Sequence, residues 1–298
     1  MKKILIINIL FTVIVFIILE LLANHLYLKH YDDILSSKYK FFMPYSKPIE
    51  FDAVYYAKTN FKVYNKNYTG KPNAFVGCSY TDGFGIPEKE TFVYKIAKLT
   101  KRKTYSFGVS ATGLQFVYWQ VENKTIPTDS KYVIYTFIFD HLRRIHQFQS
   151  EVLATNIDLR YKNVNGNLIQ IKSHLNFINS LFFIKIIQEY LETKAYEKEK
   201  KDFALFRIYM KNLMEIFQKN YPNSKFVFVE YEEDTNPDHR LPIEIRKYIN
   251  DLGYIYIDLE EATGVKIGSK EYKIKGEGAH PSEYASTIVA NSIYKNFK

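Results

Sequence analysis

Cysteine is almost absent from this 298-residue chain. Cys78 stands alone, which excludes an intramolecular disulfide and any metal site built from several cysteines. A location outside the cytoplasm is compatible with this; a disulfide-stapled scaffold is not. Glycine (12) and proline (9) are too scarce for a collagen-like chain, and 47% hydrophobic with 24% charged residues excludes a wholly disordered one. Lys/Arg blocks, RNA-binding aromatic motifs and zinc-finger spacings are missing, so nucleic acid ranks last among partners. No internal repeat is visible. Tryptophan occurs once, against 26 Tyr and 23 Phe. That balance fits the codon bias of an AT-rich genome, and a sugar-binding aromatic surface is the sharper alternative. With 41 Lys+Arg against 32 Asp+Glu the formal net charge is +9, which favours anionic partners such as phospholipid or acidic polysaccharide. The length allows one large or two small domains.

One long apolar run is present. Residues 4–23 read ILIINILFTVIVFIILELLA, interrupted by Asn8, Thr12 and Glu20. A helix of this length spans the roughly 30 Å hydrocarbon core of a bilayer. The run is longer than a signal-peptide core, and its exit, LLANHLYLKHYDD, has neither a clear A-x-A site nor a lipobox cysteine. The expectation is therefore an uncleaved anchor over 1–29. The lysines on its two sides do not decide orientation. Its place near the N-terminus predicts a single-pass inner-membrane protein with the C-terminal domain exported to the periplasm or beyond.

A connector over 30–72 leads into an alternating pattern. Strands are predicted at 73–79, 104–110, 131–139, 225–233 and 254–261, and helices at 90–100, 114–123, 241–253 and 280–297. Phe92, Val93, Ile96 and Ala97 share one face of the first of these helices. Such alternation implies a parallel sheet covered on both faces, here a domain over 73–298. The stretch 140–222 reads as an insertion, with a hairpin at 159–171 turning on Asn165-Gly166 and helices near 173–197 and 201–219.

Ligands of an open parallel sheet bind beyond the carboxyl ends of its strands. Three groups fall there: Ser79 in AFVGCSYTDGFG, the backbone of SFGVSATG (106–113), and His280 in GEGAHPSEYA, just before the last helix. A hydroxyl nucleophile needs a base within hydrogen-bond reach and a third group to orient that base. Glu277 lies three residues before His280, close enough for a short turn to bring its carboxylate to Nδ1. Spacing alone does not separate this from a small turn serine and an ordinary loop histidine.

These blocks resemble the SGNH/GDSL hydrolases in order and spread over about 73–297. AFVGCSYTDGFG is similar to the block in which a strand ends in Gly-Asp-Ser, SFGVSATG to the second block, and EGAHPSEYA to the acid-x-x-His-Pro element opening the last helix. The hydrophobic N-terminus is similar to membrane-anchored bacterial esterase or O-acyltransferase members. The resemblance implies a three-layer α/β/α flavodoxin-like fold with Ser79, His280 and Glu277 catalytic and the N–H groups of Ser79 and Ala111 holding an oxyanion. No cofactor and no metal are expected; His141 and His146 lack a third ligand.

Departures from the pattern are informative. Cys78 replaces the usual Asp, and alternation on the strand turns it to the interior. Glu277 replaces Asp, and Ala111 replaces Gly. The family's Gly-x-Asn is lost near TFIFDHLRRI, where Asp140, an acceptor only, stands roughly at the Asn position. Asp140, His141 and Arg143 (or Arg144) are then candidates for binding substrate, and a salt-bridged loop is the plainer reading of the same residues. Asp238-His239 reads as a cap and turn element, and the NYT (67–69) and NKT (123–125) sequons as chance matches. The expected function is hydrolysis or transfer of an acyl group, acetyl above all, on a cell-envelope glycan. The alternative is a catalytically impaired glycan-binding or assembly component working with envelope proteins. The insertion could also serve as a lid or partner surface.

Overall fold

The central strands bury both of their faces. In β4 (Tyr132–Phe137), Val133, Tyr135 and Phe137 point into one apolar cluster while Tyr132 and Ile134 point into another. This alternation recurs in β2 (Asn73–Gly77) and β7 (Lys225–Glu230), and it obliges the sheet to be covered on both sides. The computed structural model describes residues 15, 16, 18, 61–110, 112–145, 159–171, 202–232, 234–277 and 279–297. The chain divides into two units. One comprises Met1–Ile49, Phe148–Ser150 and Lys172–Lys198; the other, which holds every element named below, comprises Glu50–Gln147, Glu151–Ile171 and Glu199–Lys298.

In chain order the elements are β1 (Lys62–Tyr64), β2, α1 (Ser79–Asp82), α2 (Phe92–Thr100), β3 (Thr104–Gly108), α3 (Leu114–Glu122), β4, α4 (His141–Arg144), β5 (Arg160–Val164), β6 (Asn167–Ile171), α5 (Phe203–Asn220), β7, α6 (Ile243–Asp251), β8 (Ile255–Asp258), α7 (Leu259–Thr263) and α8 (Glu283–Lys295). The main sheet runs β1-β3-β2-β4-β7-β8, parallel throughout except for β1, which pairs antiparallel with β3. Renumbered among the parallel strands alone, the order is 2-1-3-4-5, the flavodoxin-like arrangement. One face carries α3, α5 and α6 through residues such as Val117, Met210 and Ile249; the other carries α2 and α8 through Ile96, Ala97, Val289 and Ile293.

Local chemistry sets the boundaries. Thr91 caps α2 by accepting from the Tyr94 N–H, Asp202 caps α5, and Ser282 caps α8 by accepting from the Ala285 N–H. Asn165 and Gly166 both take positive φ (52° and 86°) and turn the β5–β6 hairpin as a two-residue loop. The aromatic residues go largely to the interior. Tyr118, Tyr135, Tyr209, Phe137 and Phe228 are among the largest fully buried side chains, and edge-to-face pairs such as Tyr135–Phe228 (centroids 5.4 Å apart) fill the α3/α5 face.

Three expectations change. The connector read over 30–72 contributes the edge strand β1; a three-residue strand carries too little periodicity to announce itself. The strand expected over 254–261 stops at Asp258, whose side chain caps α7 by accepting from the Glu261 N–H. The stretch read as an insertion includes α5, a core helix packed through Phe206, Tyr209, Met210 and Leu213, so the crossover from β4 to β7 contains it. The hairpin lies against that helix. Asn212 donates to the Gly166 carbonyl and accepts from the Leu168 N–H, and Tyr161 meets Tyr118 and Tyr209 edge-on. Among the described residues no helix is long and apolar enough to cross a membrane. Apart from residues 15, 16 and 18, which are helical, the run 4–23 lies outside the described residues, as does the expected helix at 173–197.

Gly77 and Gly108 face each other at the carboxyl ends of β2 and β3, and α1 lies against them. A Cβ on Gly108 would sit 2.5 Å from the Asp82 backbone nitrogen and 2.7 Å from Thr81 Cβ. Gly108→Ala should therefore destabilise the fold by about 1–3 kcal/mol through overpacking. A urea midpoint equal to that of the unaltered protein would contradict the close approach.

Candidate active site

Strand β2 ends at Gly77, and the chain turns at once into the single turn α1. Cys78 is its N-cap, fully buried among Phe75, Phe92 and Ile134, which turns Ser79 toward the carboxyl edge of the sheet. The turn is closed by Gly83 in the left-handed conformation (φ 77°), with the N–H groups of Gly83 and Phe84 both donating to the Ser79 carbonyl. Lys62 of β1 braces its far end, donating to the Asp82 carboxylate (2.7 Å) and carbonyl (3.0 Å).

The histidine arrives on the segment between α7 and α8. Lys273 and Pro281 form an antiparallel bridge, the Ile274 N–H donates to the His280 carbonyl, and the Ser282 N–H donates to the Tyr272 carbonyl. At the tip of this turn Glu277 Oε2 accepts from the N–H groups of Ala279 (3.1 Å) and His280 (2.7 Å). Its other oxygen lies 2.6 Å from His280 Nδ1. His280 Nε2 lies 2.9 Å from Ser79 Oγ. A carboxylate can only accept, so Nδ1 carries a proton, and in the neutral ring Nε2 is left to accept from the serine hydroxyl. Phe84 packs its ring 4.6 Å from the imidazole and Tyr80 packs at 5.6 Å. Ser79, His280 and Glu277 are thus brought into one line, although Ser79 and His280 stand 201 positions apart in the chain.

Burial alone would raise the Glu277 carboxyl, but the His280 N–H, its ring and the Ala279 N–H outweigh it and hold the group below the ordinary carboxyl value. Such a carboxylate keeps the imidazole oriented and stabilises the imidazolium that forms when the ring takes a proton.

Beyond β3 the chain is stitched back to β2. The Val109 N–H donates to the Gly77 carbonyl (2.9 Å), and Thr112 Oγ1 donates to the Val109 carbonyl (2.7 Å). Ala111 lies outside the described residues. Asp140 accepts Arg143 through Nε (2.6 Å) and Nη2 (2.9 Å) and Arg144 through Nε (2.7 Å). Burial opposes its ionisation, yet the two guanidiniums hold its carboxyl far below the usual range. Arg144 also donates to the Thr112 carbonyl at 2.7 Å, which ties the cluster to the second-block turn. The candidate substrate contact at His141 is corrected. Its ring is fully buried, stacks on Tyr135 and bonds the Tyr135 hydroxyl through Nδ1 at 2.7 Å, so it is a core residue and its burial favours the neutral ring. His146 lies outside the described residues. His239 stacks on Phe139 and pairs with Asp234, while Asn236 caps the short 3₁₀ turn Pro237–His239.

Sequence reasoning missed Tyr80, Phe84 and Lys273. Tyr80 and Phe84 flank the serine closely enough to be suspected; Lys273, seven residues before His280, gives no such signal.

No family model matches the chain, and no curated protein matches it. Similar solved structures include a Lactobacillus plantarum protein (13% identity, TM-score 0.48, 77% of this chain and 96% of that one). They also include a catalytic mutant of Axe2, an acetylxylan esterase from Geobacillus stearothermophilus (12% identity, TM-score 0.46, 76% and 94%). A third is TesA (9% identity, TM-score 0.46, 76% and 98%). None of these reaches a TM-score of 0.5, and the geometry of the site itself carries the functional reading.

The Glu277 carboxyl is lower in the folded than in the unfolded chain. Its stabilising contribution is therefore complete above the ordinary carboxyl range and lost as the pH falls through the folded value. Glu277→Gln should be less stable than the unaltered protein at pH 7, with the gap between urea midpoints closing as the solution is acidified below that range. A gap that stays constant with pH would show that Glu277 is not held as an ion.

Proposed function

We propose that this protein is a serine-dependent acyl-ester hydrolase or O-acyltransferase. The observation that carries the reading is the continuous line from Ser79 Oγ through the His280 ring to Glu277, 2.9 Å and 2.6 Å long in its two links. In the first half-reaction Nε2 removes the serine proton as Oγ attacks the ester carbonyl carbon. The carbonyl electron pair moves to oxygen, where the N–H groups of Ser79 and Ala111 receive it. Collapse expels the alcohol, which takes the proton from His280, and the acyl group stays on Ser79. In the second half-reaction His280 takes the proton of an acceptor hydroxyl as its oxygen attacks the acyl carbon, the bond to Ser79 Oγ breaks, and His280 returns the proton to Oγ. Water as acceptor gives a carboxylic acid; a sugar hydroxyl gives a new ester.

Asp140, Arg143 and Arg144 support the oxyanion turn in this reading rather than contact the substrate, because Arg144 binds the Thr112 carbonyl next to Ala111. Removing one oxyanion donor typically costs about 10²–10³ in rate, so the lack of the family's Asn would lower activity without abolishing it. An acetylated envelope glycan as substrate, and an N-terminal anchor that leaves this domain in the periplasm or outside the cell, follow from the resemblance and from the apolar run 4–23. The helical residues Val15, Phe16 and Ile18 of that run expose their apolar side chains.

Ser79→Ala should lower hydrolysis of a small aryl acetate by on the order of 10⁴ or more with folding unchanged, and a fluorophosphonate should label Ser79 stoichiometrically. Equal rates for the variant, or labelling elsewhere, would remove Ser79 from the chemistry. The full chain should sediment with membranes and resist alkaline carbonate. Release by carbonate alone would refute the anchor.

A further inference from the structure

Tyr80 follows Ser79 directly, and Ala279 precedes His280 directly. The Tyr80 hydroxyl donates to the Ala279 carbonyl at 2.8 Å. Two peptide links and two hydrogen bonds therefore close a ring: Ser79 to Tyr80, Tyr80 to Ala279, Ala279 to His280, and His280 back to Ser79. Behind this ring lies Lys273, only 7% exposed, whose ammonium donates to the same tyrosine oxygen at 3.1 Å. An ammonium has no lone pair to offer, so it can serve the phenol only as a donor. The phenolic oxygen thus accepts from Lys273 while its proton is donated to the Ala279 carbonyl. Tyr80 itself is 4% exposed, and its ring meets Tyr231 edge-on at 5.0 Å, so the phenol has no room to swing away. Lys273 also sits on the opposite arm of the histidine turn, bridged to Pro281.

We infer that Tyr80 and Lys273 are positioning residues that lock the histidine turn onto the nucleophile helix and so set the Ser79–His280 separation from behind. The inference rests on the acyl-transfer reading of Ser79 and His280. Neither residue bonds the reacting atoms: Tyr80 acts through the Ala279 carbonyl and Lys273 through the Tyr80 hydroxyl. A misplacement on the order of 1 Å at such a relay can cost about 10²-fold in rate, so the effect should fall on kcat and spare KM.

Tyr80→Phe keeps the ring and removes only the hydroxyl. Its kcat for a small aryl acetate should fall about 10- to 100-fold, with KM within about twofold. The kcat of Lys273→Met should lie between those of Tyr80→Phe and the unaltered protein. Tyr254→Phe is the control for loss of a buried phenolic bond, since that hydroxyl donates to the Met210 carbonyl at 2.8 Å in the other apolar cluster; it should leave kcat unchanged. Amide exchange at Ile274 and Ser282, read in the same folded proteins, should quicken in Tyr80→Phe and stay unchanged in Tyr254→Phe. Folded Tyr80→Phe with unaltered kcat and unaltered exchange overturns the inference while leaving the serine reading intact. An unaltered protein that neither hydrolyses the ester nor takes the fluorophosphonate defeats the serine reading instead, and exchange at the two amides then tests the lock by itself. If Lys273→Met fails to fold, the ring-preserving Tyr80→Phe decides the matter.

Discussion

Glu277 accepts three hydrogen bonds from its own turn, two from the backbone and one from the His280 ring, and the rest of the site is arranged around that carboxylate. A carboxylate stays ionised in a half-buried position only when donors replace the water it has lost. Here the same donors fold the turn, so the charge that orients the imidazole also shapes the segment that carries it. The serine end relies on steric means, a one-turn helix seated on two glycines with a buried thiol on one side, and on one ion pair, Lys62 with Asp82, at the far end of that turn.

Much of the architecture was legible because doubly covered parallel strands leave a dense signal. The run 131–139 could be read as buried on both faces from its β-branched and aromatic content, and β4 is buried at every position. Asn165-Gly166 announced its hairpin because few residue pairs accept two positive φ angles in succession. The helix 90–100 was legible from four apolar positions, all of them buried. By contrast, β1 leaves no period because it is three residues pairing at an edge, and the core role of α5 is hidden because its neighbours in space are distant in sequence. At the site, the Glu277–His280 spacing could be seen because it is local. The Tyr80–Lys273 contact spans 193 positions and depends on tertiary packing alone.

The stretch around Asp140 shows how one residue changes the meaning of its neighbours. A buried carboxylate left without partners would be costly. Two arginines engage that carboxylate, and one of them reaches across to the Thr112 carbonyl, so the acid becomes a bracket between α4 and the second-block turn. His141, adjacent in sequence, goes the other way and fills the core beside Tyr135. Sequence neighbours on a four-residue helix thus serve unrelated ends, and proximity in the chain was a poor guide to shared purpose.

The paired glycines at the ends of β2 and β3 carry a consequence of their own. They seat α1 through atoms that are missing, and a surface made by omission cannot be trimmed further. Every change at Gly77 or Gly108 adds bulk, so these two rungs can drift only toward a worse seat. The histidine turn is held by side chains of graded size and charge, and it can be adjusted in either direction. Adjustment of this geometry therefore has more room on the histidine side.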